Sequence, residues 1–460
     1  MVWGEHATEL TREDRFFAAV SVLMIYVTIY VNTYVNGYVI LAAPYSQSAP
    51  LSLGGAPPYP GGSLQQCAHA VSCTNMDTHD QPTPDTDPTD LGDVPAVSAT
   101  IESRAQLVDT ACTLLVAEHG QAHGTRSGAL SYHGVEHVEA VLDHVEAIAE
   151  ALALAEEGDD LCAARLAAAG HDRVLHSEPD AESGRLIRSQ GATPERETDT
   201  NASTSGRYNQ AESLDRVVAI LESLDPERTY WDDAFVSLLR EAIDATLATV
   251  ALAPIDPEAL RVQQPRTDAT VDLSRYAYGS EHEPLALKIG QPHLTADTRL
   301  PAVVLALADL AYIGITDYDT FRREGNAEFR EIEVRFRDEQ LPDLSAMSSA
   351  QRADFVTRMF DWWRSQITLP LQQRRHFLDL LDTNATLLTR ASAEREALFA
   401  MFSNYEGNAL HAAEFYERMQ EQYGELQNPD THTVDSSASF HALLAEMGYG
   451  VPDTAASHGN

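Results

Sequence analysis

The stretch that decides the fold is LCAARLAAAGHDRVLH, residues 161–176. An almost uninterrupted run of Ala and Leu reads as a buried helix, and it leads straight into His171-Asp172. Ionisable side chains at the end of a buried helix are costly to desolvate unless they have a partner. The same dipeptide occurs at His79-Asp80, among Pro, Thr and Asp residues that could not hold it rigid, and that copy is set aside. Two further segments offer partners. In SGALSYHGVEHVEAVL (127–142), His133 and His137 stand four apart at the start of an amphipathic helix, which puts both on one face. In LPAVVLALADLAYIG (300–314), Asp309 is the single carboxylate of a buried helix, with no Arg or Lys within a turn. A metal ion would be a sufficient partner for all of them.

Working outward, apolar residues recur at helical spacing over 101–119, 135–156, 160–170, 211–224, 232–252, 298–314, 351–382 and 390–422, with hardly a strand candidate between. The expected fold class is all-α. Residues 16–43 carry no charge over 28 positions, enough to span a bilayer core of ~20 apolar residues. The alternative is an N-terminal extension outside the working protein. Residues 45–98 are rich in Pro, Ser, Thr, Gly and Asp and read as a disordered acidic linker after the hydrophobic segment 1–44. A second such stretch, about 177–207, reads as an inserted loop, and the residues from 427 to 460 as a polar tail.

Carboxylates outnumber bases 70 to 31, for a formal charge of −39. Lys288 is the only lysine, leaving 30 arginines. The acid is spread along the whole chain, as suits a salt-rich interior in which charge maintains solubility. Wrapping a nucleic-acid duplex needs clustered Lys and Arg, and that class of partner is excluded. The four cysteines, 67, 73, 112 and 162, do not make a disulfide framework in 460 residues; Cys112 and Cys162 lie in helical patterns as core residues.

His, His-Asp and Asp on three helices is the ligand set of the HD superfamily of metal-dependent phosphohydrolases, and the resemblance extends beyond those residues. SYHGVEHV (131–138) resembles the Tyr-His-Asn-x-x-His box of a bacterial branch and of the cyclic-nucleotide phosphodiesterases. ALADLAYIG (306–314) is similar to their Ala-Asp-Leu helix, and YNQAESLDRV (208–217) to the segment that opens the helix after the HD motif. FRREGNAEFREIE (321–333) and WWRSQITLPLQQRR (362–375) resemble the C-terminal part of that branch. The resemblance implies an HD-domain helical bundle over 99–335 with a C-terminal helical extension over 336–426. It implies His137, His171, Asp172 and Asp309 as metal ligands, and His133 as general acid. Gly134 departs from the pattern, where the family has Asn.

These donors suit one or two divalent ions, Mn, Fe, Co, Zn or Mg. Such an ion activates water for attack on phosphorus, Asp172 could bridge to a second ion, and His133 would protonate the departing oxygen. The expected substrate is a phosphorylated small molecule or nucleotide, with Arg173, Arg322 and Arg323 as candidate sources of positive charge. A nucleotide substrate implies a cytoplasmic protein, whereas an anchor preceded by Arg12 and Arg15 would place the domain outside. The C-terminal helices, with Trp362 and Trp363, must pack on the HD core or form a homo-oligomer.

Three rival readings remain. His133–His137 also fits H-x-x-E-H, a zinc peptidase with Glu136 as base, which leaves His171, Asp172 and Asp309 unexplained. A di-iron oxygenase would need two more histidines, for which only His176, His282 and His293 are at hand. A non-catalytic metal- or nucleotide-binding regulatory module would use the same ligands without turnover.

Overall fold

The computed structural model describes residues 101–123, 132–173, 178–179, 186–187, 205–264, 267, 269–280, 282–332, 347–432 and 437–449. The hydrophobic segment 1–44, the linker 45–98, Cys67, Cys73, His176 and nearly all of the insertion 177–207 lie outside them. Within that insertion Glu178–Pro179 (β1) and Leu186–Ile187 (β2) are described as an antiparallel pair, and its last three residues, 205–207, already belong to the helix that follows.

The centre of the fold is the helix over which the sequence reading began. Asp159–Gly170 (α3) opens with Asp159 and Asp160, whose charges complement the helix N-terminus. From Leu161 to Gly170 every residue but Arg165 is buried. Around it pack Arg104–His123 (α1), Val135–Ala151 (α2), Ser205–Leu224 (α4), Asp233–Ala245 (α5) and Leu300–Asp309 (α6). Small side chains on α3 let five neighbours approach it, and Gly170 marks the tightest approach. A methyl group there would overlap Val217 Cγ2 on α4. Valine is stiff about χ1 and cannot swing aside. Gly170→Ala is therefore expected to cost about 1–3 kcal/mol, read as a fall in melting temperature that Val217→Ala in the same chain restores.

The all-α expectation is corrected in one region. The helix read through 232–252 stops at Ala245, and Thr249–Pro254 (β3) continues as a strand. It pairs antiparallel with Pro284–Gly290 (β7), from Thr249↔Gly290 to Pro254↔Leu285, and Tyr278–Gly279 (β6) adds the third strand. Arg261–Gln263 (β4) and Thr270–Asp272 (β5) form a separate hairpin. Thr249 and Val250 are β-branched and favour the pleated sheet, but Ala251, Leu252 and Ala253 after them suit either state, so periodicity alone does not expose the switch. The described chain is mostly helical with a small antiparallel sheet.

After α6 come Tyr318–Ile332 (α7), which was not among the expected helices, and Ser349–Thr383 (α8), 35 residues long. Ser348 and Gln351 form a capping box at the start of α8. This helix lies on β7, where Gln373 donates to the Ile289 carbonyl and Arg364 to those of Tyr276 and Ala277. The long helix expected over 390–422 is broken into Ser392–Met401 (α10) and Tyr405–Tyr423 (α11), with the short Ala385–Leu388 (α9) before them. The break has a purpose in packing. Asn404 and Asn408 donate to the carbonyls of Ile315, Ile313 and Thr316, tying α11 to the loop that follows Asp309.

One apolar core runs from Leu107 to Ala413, so the segments 99–335 and 336–426 share it among the described residues. The expected polar tail is a second correction. Ser437–Glu446 (α12) buries Phe440, Leu443 and Leu444, and with Met447 and Tyr449 they join Phe329, Phe355, Met359 and Trp362 in a second cluster. The apolar residues of SFHALLAEMGY had been outweighed by the polar stretch before them.

Candidate metal centre

Three helix ends converge on one point. The extended backbone of Gly134 starts α2, so His133 sits just before the helix and His137 one turn inside it. The rings of His133 and His137 stand 5.7 Å apart. His171 follows the last turn of α3, and its Nδ1–H donates to the Ala168 carbonyl at 2.8 Å. That hydrogen bond fixes the tautomer, leaving Nε2 with a free lone pair, as an outer-shell carbonyl does for a ligating imidazole. Asp309 is the last residue of α6.

His137 Nε2 lies 3.3 Å from Asp309 Oδ1 and 3.6 Å from Asp172 Oδ2. His171 Nε2 lies 3.1 Å from Asp172 Oδ2 and 3.6 Å from Asp309 Oδ1. Both Nε2 atoms are buried and receive no hydrogen bond of acceptable geometry. Donors held at ~2.1 Å by one tetrahedral ion stand about 3.4 Å from each other, so the spacing fits a metal. His137, His171 and Asp309 together form a group that could hold a metal ion, with donor atoms within 4.8 Å of one another. Asp172 stands beside that group, its Oδ2 3.1 Å from His171 Nε2 and 3.6 Å from His137 Nε2. The lone carboxylate of α6 thus finds histidines as its partners, with no arginine or lysine in the cluster.

The cluster's charge is balanced by protons when no cation is bound. Burial alone would lower the His171 pKa, but Asp172 and Asp309 outweigh it and hold the imidazolium well above the usual histidine range. Burial would raise both carboxylates, yet His171 and His133 hold Asp172 well below the carboxylate range. His137 and His171 likewise bring Asp309 down to about 2. The linkage follows from the direction of each shift. The His171 contribution to the stability of the metal-free chain is complete below about pH 6.5, the unfolded value, and is lost as pH rises through its raised folded value. The Asp172 and Asp309 contributions are present above about pH 4, and are lost as pH falls through their depressed folded values. A cation must displace the His171 proton. Apparent Mn affinity is therefore expected to fall by up to about tenfold per pH unit on acidification below the His171 pKa, checked by competition titration at several pH values.

His133 is not part of the ligand group. Its Nε2 lies 4.0 Å from Asp172 Oδ2, while Nδ1 lies 2.6 Å from Glu331 Oε1. Glu331 Oε2 also accepts the backbone N–H groups of Tyr132 and His133, at 2.9 and 3.0 Å. On the other side His119 Nε2–H donates to the His133 carbonyl at 2.9 Å. The residue before α2 is thus held through ring, N–H and C=O, and Gly134, which has no side chain, adds nothing to that grip. Glu331 is buried on α7 and was not singled out from the sequence, although FRREGNAEFREIE was.

A search against protein-family models, curated proteins and solved structures found no match.

Tyr132 and Tyr312 complete the floor. The Tyr132 ring lies 4.6 Å from His137 and 5.9 Å from Tyr312, and burial pushes both hydroxyls up. The arginines expected to receive a phosphate are engaged elsewhere. Arg173 Nε is 3.4 Å from Glu118, which Arg216 also holds; Arg322 faces Glu446 at 3.6 Å, and Arg323 faces Glu324. Of the histidines considered for a second iron site, His282 is exposed and His293 half-buried, and neither joins the cluster. Glu136 is exposed and also stands outside it.

Proposed function

We propose that this chain is an HD-type metal-dependent phosphohydrolase acting on a phosphorylated small molecule or nucleotide. The observation that carries the reading is the convergence of His137, His171 and Asp309, with Asp172 beside them, from helices far apart in the chain. A divalent ion bound there supplies a water of lowered pKa and neutralises phosphoryl charge. His137, His171 and Asp309 would hold it, and Asp172 would be the carboxylate available to a second ion.

The other roles belong to side chains already in place. With Nδ1–H given to Glu331, His133 has Nε2 as the atom that exchanges a proton, next to the cluster, where it can protonate the departing oxygen. Tyr132 and Tyr312 keep the floor apolar around their hydroxyls. The peptidase alternative has less support, because its base, Glu136, points to solvent.

The test uses the full chain. Its metal content is measured after desalting, and hydrolysis of aryl phosphomonoesters, aryl phosphodiesters and nucleotides is assayed with added Mn. Metal-dependent release of phosphate or of the aryl alcohol is expected. A chain that binds metal and turns over none of these is a binding module, and the proposal fails.

A further inference from the structure

A second cluster of cations lies on α7 and α11, away from the metal centre. Tyr318, Asp319, Arg322, His411, Glu414, Phe415 and Arg418 line an open surface cleft. The guanidinium groups of Arg322 and Arg418 both stand over the Phe415 ring, at 5.0 and 5.2 Å from its centre. The Tyr318 ring lies 5.7 Å from that of His411 and 6.5 Å from that of Phe415.

We propose that this cleft binds a phosphoryl dianion, free or carried on a small molecule, through Arg322, Arg418, His411 and the Tyr318 hydroxyl. In a chain where carboxylates outnumber bases more than two to one, arginines are usually neutralised by a neighbour. Arg418 has no carboxylate within ion-pair distance among the described residues, and Arg322 has only Glu446, at 3.6 Å. Cation–π contact with Phe415 holds both guanidiniums; Arg418 keeps N–H groups to offer an anion, and Arg322 offers those not turned toward Glu446. Burial keeps the Tyr318 hydroxyl protonated, and so a donor, against the opposing pull of Arg322 and Arg418.

The carboxylates in the cleft are Asp319 and Glu414, and Glu414 is occupied with His411 at 3.3 Å. Behind the cleft is a smaller hollow sharing Tyr318, Arg322 and Phe415. There Gln366 Oε1 is buried without a hydrogen bond, an acceptor for the ligand or for a water it carries. Along α7, Arg322 is about 14 Å from Glu331 at 1.5 Å per residue, so the cleft is distinct from the metal centre and the inference does not rest on hydrolysis.

The experiment is calorimetric titration of the full chain, stripped of metal with EDTA, with inorganic phosphate and with phenyl phosphate. Saturable binding of either, at one per chain, is expected. Arg418→Gln and Arg322→Gln should each weaken it about tenfold or more, while His171→Ala leaves it unchanged. Tighter binding of phenyl phosphate would identify a phosphorylated small molecule as the ligand, and equal binding would identify the free anion. No saturation with either probe, affinity unmoved by Arg418→Gln, or binding lost in His171→Ala would overturn the proposal.

Discussion

On the proposed function, His171→Ala is expected to abolish both divalent-ion binding and turnover. The substitution removes a buried donor whose lone pair is aimed by the Ala168 carbonyl, and it leaves His137 as the one imidazole between Asp172 and Asp309, with His133 4.0 Å from Asp172. Outer-shell changes alone cost ~10–100-fold in metal affinity, so losing a ligand should cost at least about 100-fold by that standard. Metal per chain after desalting reads the effect directly. His293→Ala, outside the cluster, serves as the control and should keep its metal. The metal-free variant should also melt below the metal-free parent near pH 6, because the two carboxylates have lost a protonated neighbour. Full metal content in His171→Ala would remove the basis for the site.

Glu331→Gln is expected to lower turnover by about 10²–10⁴-fold, the range for a lost general acid, with metal content unchanged. Glutamine has one acceptor oxygen where the carboxylate has two, so either the Nδ1–H of His133 or the backbone N–H groups of Tyr132 and His133 lose their acceptor, and the grip on His133 loosens. Leaving the N–H donors of Tyr132 and His133 unpaired also costs stability, of order 1–3 kcal/mol. Leaving-group dependence separates proton delivery from general loosening. Phenyl esters need a proton on the departing oxygen and should suffer most, whereas p-nitrophenyl esters, whose leaving group is stable as an anion, should suffer least. An equal fall for both would make Glu331 structural only.

The contrast between these two residues shows what was legible in the sequence. His171 stands at the end of a run of Ala and Leu, and Asp309 is alone among apolar neighbours, so burial of each could be inferred from its surroundings. His133 and His137 are related by helical spacing. Glu331 has no such mark, being one of 70 acidic residues in a charged, amphipathic segment. Its partner lies 198 residues away, and only the fold brings the two together. The strands were hidden for a related reason: Thr249–Pro254 is paired with a segment more than 30 residues on, and its Ala and Leu residues carry no preference strong enough to announce it. Helix existence was legible over most of the described residues, and helix ends were less so. The break at Phe402–Asn404 depends on carbonyls of the 313–316 loop that no local pattern reveals.

The attachment of α12 to α7 has a practical side. Asn326 donates to the Glu446 carbonyl and Arg330 to that of Met447, so the outer face of α7 is stitched to residues near 447. Glu331 is the next residue after Arg330. A protease that clips the chain near 436, or a purification handle crowded against Tyr449, would tug on the grip around His133 from the opposite end of the polypeptide. On the proposed function, preparations differing only there would contain the same amount of metal yet disagree in specific activity.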